Sequence, residues 1–152
     1  MMQAEALDSP LQLEHLIGFS ANKDECVQFH PNDEHVLISY SGTIILISST
    51  DDPHLQHFLR GHDEEITCLA ISPSGTIIAS GQLSATRAHH SEAMVLVWDY
   101  ATRQRVYALS HLSDGSDFSR NAVRQLAFSS DDRYLAGSDD AGRLAVWDLP
   151  RA

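Results

Sequence analysis

One short module occurs twice in this chain, and each copy closes on a Trp-Asp pair. The first runs CLAISPSGTIIASGQ and, after an insertion, MVLVWDY, ending at Trp98-Asp99. The second runs QLAFSSDDRYLAGSDDAGRLAVWDL, ending at Trp147-Asp148. Self-similarity at a fixed period, built from short alternating strands, means one supersecondary unit repeated about an axis. Before any single side chain is considered, the chain is restricted to an array of like β-sheets.

Turn signals divide that array. Residues 1–12 are polar and are expected to form a flexible tail. Residues 13–19, LEHLIGF, are expected to form a leading strand, with Gly18 at a tight spot. A first blade is expected near 24–60. Its strands run from Cys26 to Phe29, Val36 to Tyr40, Thr43 to Ser48 and Gln56 to Arg60. Asn32, Asp33 and Glu34 make the first turn, and Ser41-Gly42 the hairpin. A second blade is expected near 66–110, with strands Ile66–Ser72, Ile77–Gly81, Val95–Trp98 and Val106–Leu109. The strand from Ile66 is apolar on both faces, as suits burial between two neighbours. The segment LSATRAHHSEA, Leu83 to Ala93, lengthens what would otherwise be a tight hairpin. A third blade near 122–149 has three strands, Val123–Phe128, Tyr134–Gly137 and Leu144–Trp147, after a polar connector from Leu112 to Arg120.

Four-stranded sheets set radially make a β-propeller, usually of about four to eight blades. The expected fold is therefore all-β, a partial propeller of one leading strand, two four-stranded blades and a three-stranded blade. An open arc exposes a sheet face and strand edges, which aggregate unless covered. The open side is expected to be covered by the rest of a longer chain or by another polypeptide. The strand 13–19 is expected to close the ring on the last blade.

The Gly61-His62 opening, the SPSG turn, the IASGQ strand and both Trp-Asp endings resemble the WD-repeat family, over residues 24 to 149. The stretches LIGF (Leu16 to Phe19), FHPNDEHVLISYSGTIILI (Phe29 to Ile47), HFLRGHDEEITCLAIS (His57 to Ser72) and IASGQ with VWDY are more specific. They resemble WD-repeat proteins of motile cilia. That resemblance implies two tandem propellers in a longer chain. It also implies a place inside axonemal doublet microtubules, with tubulin and neighbouring inner proteins as partners. Two other microtubule-binding WD-repeat families, one centriolar and one named for echinoderm microtubules, share parts of the pattern. The family resemblance further implies a structural network in which His62 bonds to Ser80 and Ser80 reaches Trp98. In the third module Ser110-His111 stands in place of Gly61-His62.

Composition narrows the function classes. There are 21 acidic and 10 basic residues, a net charge of −11. No basic stripe is present, which argues against nucleic acid or an anionic membrane as partner. The first fifteen residues lack the cationic start and apolar run of a secretion signal. Cys26 and Cys68 fall at matching places in successive modules, too far apart to join, and are expected to be reduced core thiols. No Gly-x-Ser-x-Gly elbow, Walker-type loop or His-Glu-x-x-His helix occurs, so no catalytic residue, metal or cofactor is expected. His54 with His57, and His89 with His90, lack the further ligands that zinc needs and are expected to be surface histidines. Asp131-Asp132 and Asp139-Asp140 are expected to be turn residues that reach water.

The expected function is a non-enzymatic scaffold. The leading expectation is a structural inner protein of ciliary doublets, the alternative a general cytosolic WD-repeat adaptor for complex assembly. Candidate partner contacts are Arg87, His89 and His90 in the insertion, and Arg120 with Arg124 at the third module, because binding residues concentrate on loops of rigid scaffolds.

Overall fold

A computed structural model describes residues 13–20, 25–83, 95–109 and 121–150. Eleven strands are present among them: β1 (Val27–His30), β2 (Asp33–Ser41), β3 (Ile44–Ser49), β4 (Gln56–Arg60), β5 (Ile66–Ile71), β6 (Ile77–Gln82), β7 (Val95–Asp99), β8 (Arg105–Leu109), β9 (Val123–Phe128), β10 (Tyr134–Asp139) and β11 (Leu144–Asp148). They form antiparallel sheets of four, four and three strands, ordered β1-β2-β3-β4, β5-β6-β7-β8 and β9-β10-β11. We call these the first, second and third blades.

Period-2 alternation builds each sheet, and turn chemistry closes each hairpin. Between β2 and β3, Ser41 pairs with Ile44, which leaves a two-residue loop whose Gly42 has φ +57°. Between β5 and β6 the Gly75 N–H donates to the Ser72 carbonyl at 2.8 Å, and Gly75 has φ +74°. This glycine is required twice over, since a Cβ here would also lie 2.5 Å from the His30 ring of the first blade. In the third blade Asp132 takes the corresponding place with φ +59°, a conformation that aspartate tolerates better than most residues.

The blades stack through two apolar seams. Ile38, Tyr40, Ile45, Ile47 and Leu59 of the first blade meet Leu69, Ile78, Leu96 and Trp98 of the second. Cys68, Ala70, Ala79, Val95 and Val97 on the second blade's other face meet Val123, Leu126, Leu135 and Ala145 of the third. On that face, Ile77 at the start of β6 excepted, the side chains enlarge outwards, from Cys68 and Ala70 on β5 and Ala79 and Gly81 on β6, through Val95 and Val97 on β7, to Tyr107 and Leu109 on β8. The β6 backbone approaches β9 so closely that a Cβ on Gly81 would lie 2.6 Å from Val123 Cβ. Polar bonds cross both seams. Tyr40 OH donates to the Thr67 carbonyl at 3.1 Å, and Thr67 Oγ1 donates to the Val123 carbonyl at 2.5 Å, which links all three blades. Cys26 and Cys68 are both buried thiols outside any disulfide, one in each cluster.

Several boundaries differ from the sequence reading. The segment 13–19 forms no strand. Its backbone is met instead by single groups of the first blade. Gln56 bonds Leu16 on both sides, at 2.9 and 3.1 Å, and the Ser20 N–H donates to the Tyr40 carbonyl at 3.0 Å. Gly18 at φ +102° interrupts the extended run, and Ile17 is 97 % exposed. A strand needs a ladder partner, and this segment lies beside the first blade rather than along an edge of the third. β2 also begins earlier than expected, at Asp33, because His30 pairs directly with Asp33 and the irregularity is absorbed as a bulge after Phe29. β10 runs on to Asp139, where a turn was expected. The tail 1–12 lies outside the described residues.

Candidate functional site

The feature that sets the second blade apart is a line of polar side chains buried in its first seam. His62 precedes β5, Ser80 and Gln82 stand on alternate positions of β6, and Trp98 is the last residue but one of β7. All four are buried, with Ser80 and Gln82 fully so. Buried polar groups must find partners, and each of these does. Trp98 Nε1–H donates to Ser80 Oγ at 2.9 Å. Ser80 Oγ lies 2.6 Å from His62 Nε2, and His62 Nδ1 lies 2.5 Å from Gln82 Oε1. The Gln82 amide then donates to Asp63 Oδ1 at 2.5 Å.

Donor logic gives the line one direction. The amide oxygen of Gln82 can only accept, so Nδ1 of His62 carries its hydrogen. In the neutral ring Nε2 then accepts from the Ser80 hydroxyl, which also lies 3.4 Å from the Leu96 carbonyl. Burial pushes the His62 pKa below the ordinary value, and Arg105 adds to this, while the Gln82 bond and Asp63 oppose it. Desolvation of the charged form wins. A buried histidine bonded at both ring nitrogens is suited to bracing a fold. The hydroxyl in its reach, Ser80 Oγ, is itself fully buried and accepts from Trp98 Nε1–H.

The other blades occupy the same places differently. Register matches Ser80 with Ser39 in the first blade, since Leu69 pairs with Ser80 as Val27 pairs with Ser39. Register likewise matches Trp98 with Ser48 there. In the third blade Gly137 stands where Ser80 would, and a Cβ on it would lie 2.9 Å from the Trp147 ring. Asp139 stands where Gln82 does. The expectation that Asp139 reaches water is wrong, for it is 4 % exposed. It accepts from the Ala141 and Arg143 backbone N–H groups at 3.0 and 2.8 Å, from Arg143 Nε at 2.7 Å and from Asn121 at 3.3 Å. Burial alone would raise its pKa, but the bonds from Arg143 and Asn121 outweigh this and hold the carboxyl below the usual range. The turn Asp-Asp sequence hid this role, because only one of its two carboxylates points inwards. Gln82 and Asp63 were likewise missed. Their signal is the alternation on β6, which places Gln82 on the same face as Ser80.

Of the candidate partner contacts, Arg124 alone lies among the described residues. Arg124 is exposed and pairs with Asp140 across the third blade. Arg87, His89, His90 and Arg120 lie outside the described residues. His54 stacks edge-on against His15 with ring centres 5.0 Å apart, on the surface. Burial, and then Arg103, lower the His57 pKa. Among the described residues no three His, Cys, Asp or Glu side chains are grouped to hold a metal ion. Asp99 caps the following turn through the Thr102 N–H and hydroxyl, both at 2.7 Å, and Asp148 takes a two-pronged contact from Arg133 at 3.0 and 2.9 Å.

Residues 53–99 and 109–148 match the family described as WD domain, G-beta repeat. These two matches cover more than half of the chain. The chain belongs to the WD-repeat family. Its relatives include Cilia- and flagella-associated protein 52 of Macaca fascicularis, 34 % identical over 97 % of this chain and 24 % of that protein. The Homo sapiens protein of the same name is 34 % identical over 97 % of this chain and 22 % of its own length. That of Chlamydomonas reinhardtii is 32 % identical over 92 % of this chain and 21 % of its own length. The chain therefore spans under a quarter of the length of these relatives. WD-repeat membership and these relatives point to a non-catalytic scaffold, whose usual role is protein–protein contact.

Proposed function

We propose that this WD-repeat chain is a structural component of the cilium or flagellum, held in the axonemal doublet by tubulin and neighbouring inner proteins. The supporting observation is that the likeness to Cilia- and flagella-associated protein 52 runs over 97 % of the chain rather than over the repeat signatures alone. The likeness includes a Chlamydomonas reinhardtii protein at 32 % identity. The architecture suits this role. Rigid sheets braced by buried bonds present loops and edges to partners.

With a net charge of −11, the chain gains nothing from long-range attraction to an acidic lattice such as tubulin. Contact then rests on shape, on local arginines such as Arg124, and on neighbouring proteins. The test is to tag the protein in ciliated cells and fractionate axonemes after membrane removal and high-salt extraction. Retention with the doublets, and cross-links to tubulin, are expected. A diffuse cytosolic signal absent from axonemes would overturn the ciliary reading in favour of a general cytosolic adaptor.

A further inference from the structure

In this chain 21 acidic residues stand against 10 basic ones, so a basic side chain normally finds a carboxylate. Arg124, Arg133 and Arg143 each pair with an aspartate, and Arg60 lies over the Phe58 ring. Arg103, on the turn after β7, and Arg105, which opens β8, are both exposed and form no ion pair among the described residues.

Local structure keeps them unpaired. An unbroken β7–β8 ladder would set Arg105 opposite Asp99, the nearest carboxylate in sequence. Instead the register slips between Val97 and Trp98, so Arg105 pairs with Trp98. Cross-strand partners share a face, and the bulge thereby turns Arg105 towards the first seam. Asp99 is meanwhile taken by the Thr102 N–H and hydroxyl, both at 2.7 Å. Arg103 closes the turn, its N–H donating to the Asp99 carbonyl at 2.9 Å. Its φ of +60° is a left-handed conformation that a residue with a Cβ adopts only at a cost. Strain of this kind gathers at ligand clamps and switches. Both cations act across the first seam. Burial first and Arg103 second depress the pKa of half-buried His57 on β4, and Arg105 adds to the burial that depresses that of His62. The carboxylates nearby are engaged elsewhere. Asp63, beside His62, takes the Gln82 amide at 2.5 Å, and Asp33, which with Arg103 acts on Tyr100, takes the His35 N–H at 3.0 Å.

We propose that Arg103 and Arg105 form a clamp for an acidic segment of a partner protein, one that carries carboxylates on alternate residues. A guanidinium takes a carboxylate through two parallel N–H bonds, which an ammonium does not. Two guanidiniums borne two residues apart match the alternate side chains of an extended chain, which share one side. The bulge and the left-handed turn are then the devices that withhold both arginines from Asp99. This inference does not rest on the ciliary reading, since the clamp would serve an adaptor equally well.

The test titrates the full chain into a fluorescein-labelled peptide, Gly-Glu-Val-Glu-Gly, and reads fluorescence anisotropy. Its counterpart has Gln in place of both Glu. Saturable binding of the acidic peptide is expected. The Gln peptide should bind at least about tenfold more weakly, a factor that corresponds to roughly 1.4 kcal/mol. Joint Arg103→Gln and Arg105→Gln substitution should lower affinity for the acidic peptide about tenfold, again near 1.4 kcal/mol. Lysine at both positions should lose several-fold, because the charge stays and the fork goes. Arg133→Gln removes the same charge elsewhere and should leave affinity unchanged. Arg103→Gly separates binding from structure. Glycine relieves the left-handed backbone, so the melting temperature should rise while binding weakens several-fold. Thermal melts show whether the double variant folds; if it does not, Arg103→Gly carries the test. No saturable binding, equal binding of the Gln peptide, an equal loss in Arg133→Gln, or unchanged affinity in the folded Arg103 and Arg105 variants would each overturn the proposal. So would tighter binding of a short oligothymidylate, which would make the clamp a phosphate site.

Discussion

The second and third blades share one sequence module, yet they are held together by different means. In the second blade both faces are covered, and β5, β6 and β7 are buried almost throughout. There Trp98, Ser80, His62, Gln82 and Asp63 form one bonded line. In the third blade β10 and β11 alternate between covered and more open positions, and Leu144 and Val146 are 69 % and 59 % exposed. Its buried polar anchor is an ion pair, Asp139 with Arg143, at 2.7 Å within one hairpin. A Trp-Asp ending therefore marks the position of a blade without dictating its interior chemistry. Whether the serine is present decides whether the tryptophan joins a histidine line or packs on a glycine.

The sharpest way to break this comparison is to remove each tryptophan in turn. Trp98→Ala should cost about 3–5 kcal/mol, as for other fully buried aromatics. Trp147→Ala should cost clearly less, because Trp147 is only half-buried. Equal shifts in urea midpoints would show that the two blades carry the same load. Next in size is the close backbone approach. Gly81→Ala should destabilise by about 1–3 kcal/mol through overpacking against Val123 and Cys68. Ala at the matching third-blade position, Ser138→Ala, should change little, and the same midpoints test both.

Ser80→Ala isolates the line itself. It leaves Trp98 Nε1–H and His62 without the shared hydroxyl, and about 1–3 kcal/mol should be lost. A variant as stable as the parent would mean that the line contributes packing only. The smallest expected effect is on pH. The folded-state pKa of His62 lies below its unfolded value, so the folded chain binds fewer protons. The stability tied to neutral His62 is complete above the unfolded pKa of about 6.5 and declines as pH falls below it. The depressed pKa of Asp139 acts in a lower window. Its contribution is complete above the unfolded carboxylate value, about 3.9, and is lost as pH falls through the folded one. His62→Ala should lower the melting temperature at pH 7.5 and flatten its decline towards pH 5.5. A slope identical to the parent would remove His62 as the cause.

Much of the sheet order was legible because strand alternation and turn residues are local signals. Gln56–Arg60 and Val123–Phe128 run as their alternation predicts. The errors have non-local causes. LEHLIGF has strand composition, but a strand exists only with a ladder partner, and no sequence pattern names one. The longer turn after Phe29 shifts the register of the first blade by one residue. Counting from the shared proline would put Ile38 opposite Ser80, whereas the pairing puts Ser39 there. Asp139 and Asp140 are identical as letters. The extension of β10 by two residues turns one inwards to Arg143 and leaves the other outside.

The graded side chains on the second blade's far face carry a geometric consequence. Slender residues sit where the sheets meet and bulky ones where they part, so this seam is a wedge. The pitch from one sheet to the next is thus encoded in methyl groups rather than in the connecting loops. Enlarging Ala79 while trimming Tyr107 would straighten the array, and with it alter how many sheets a closed ring could hold.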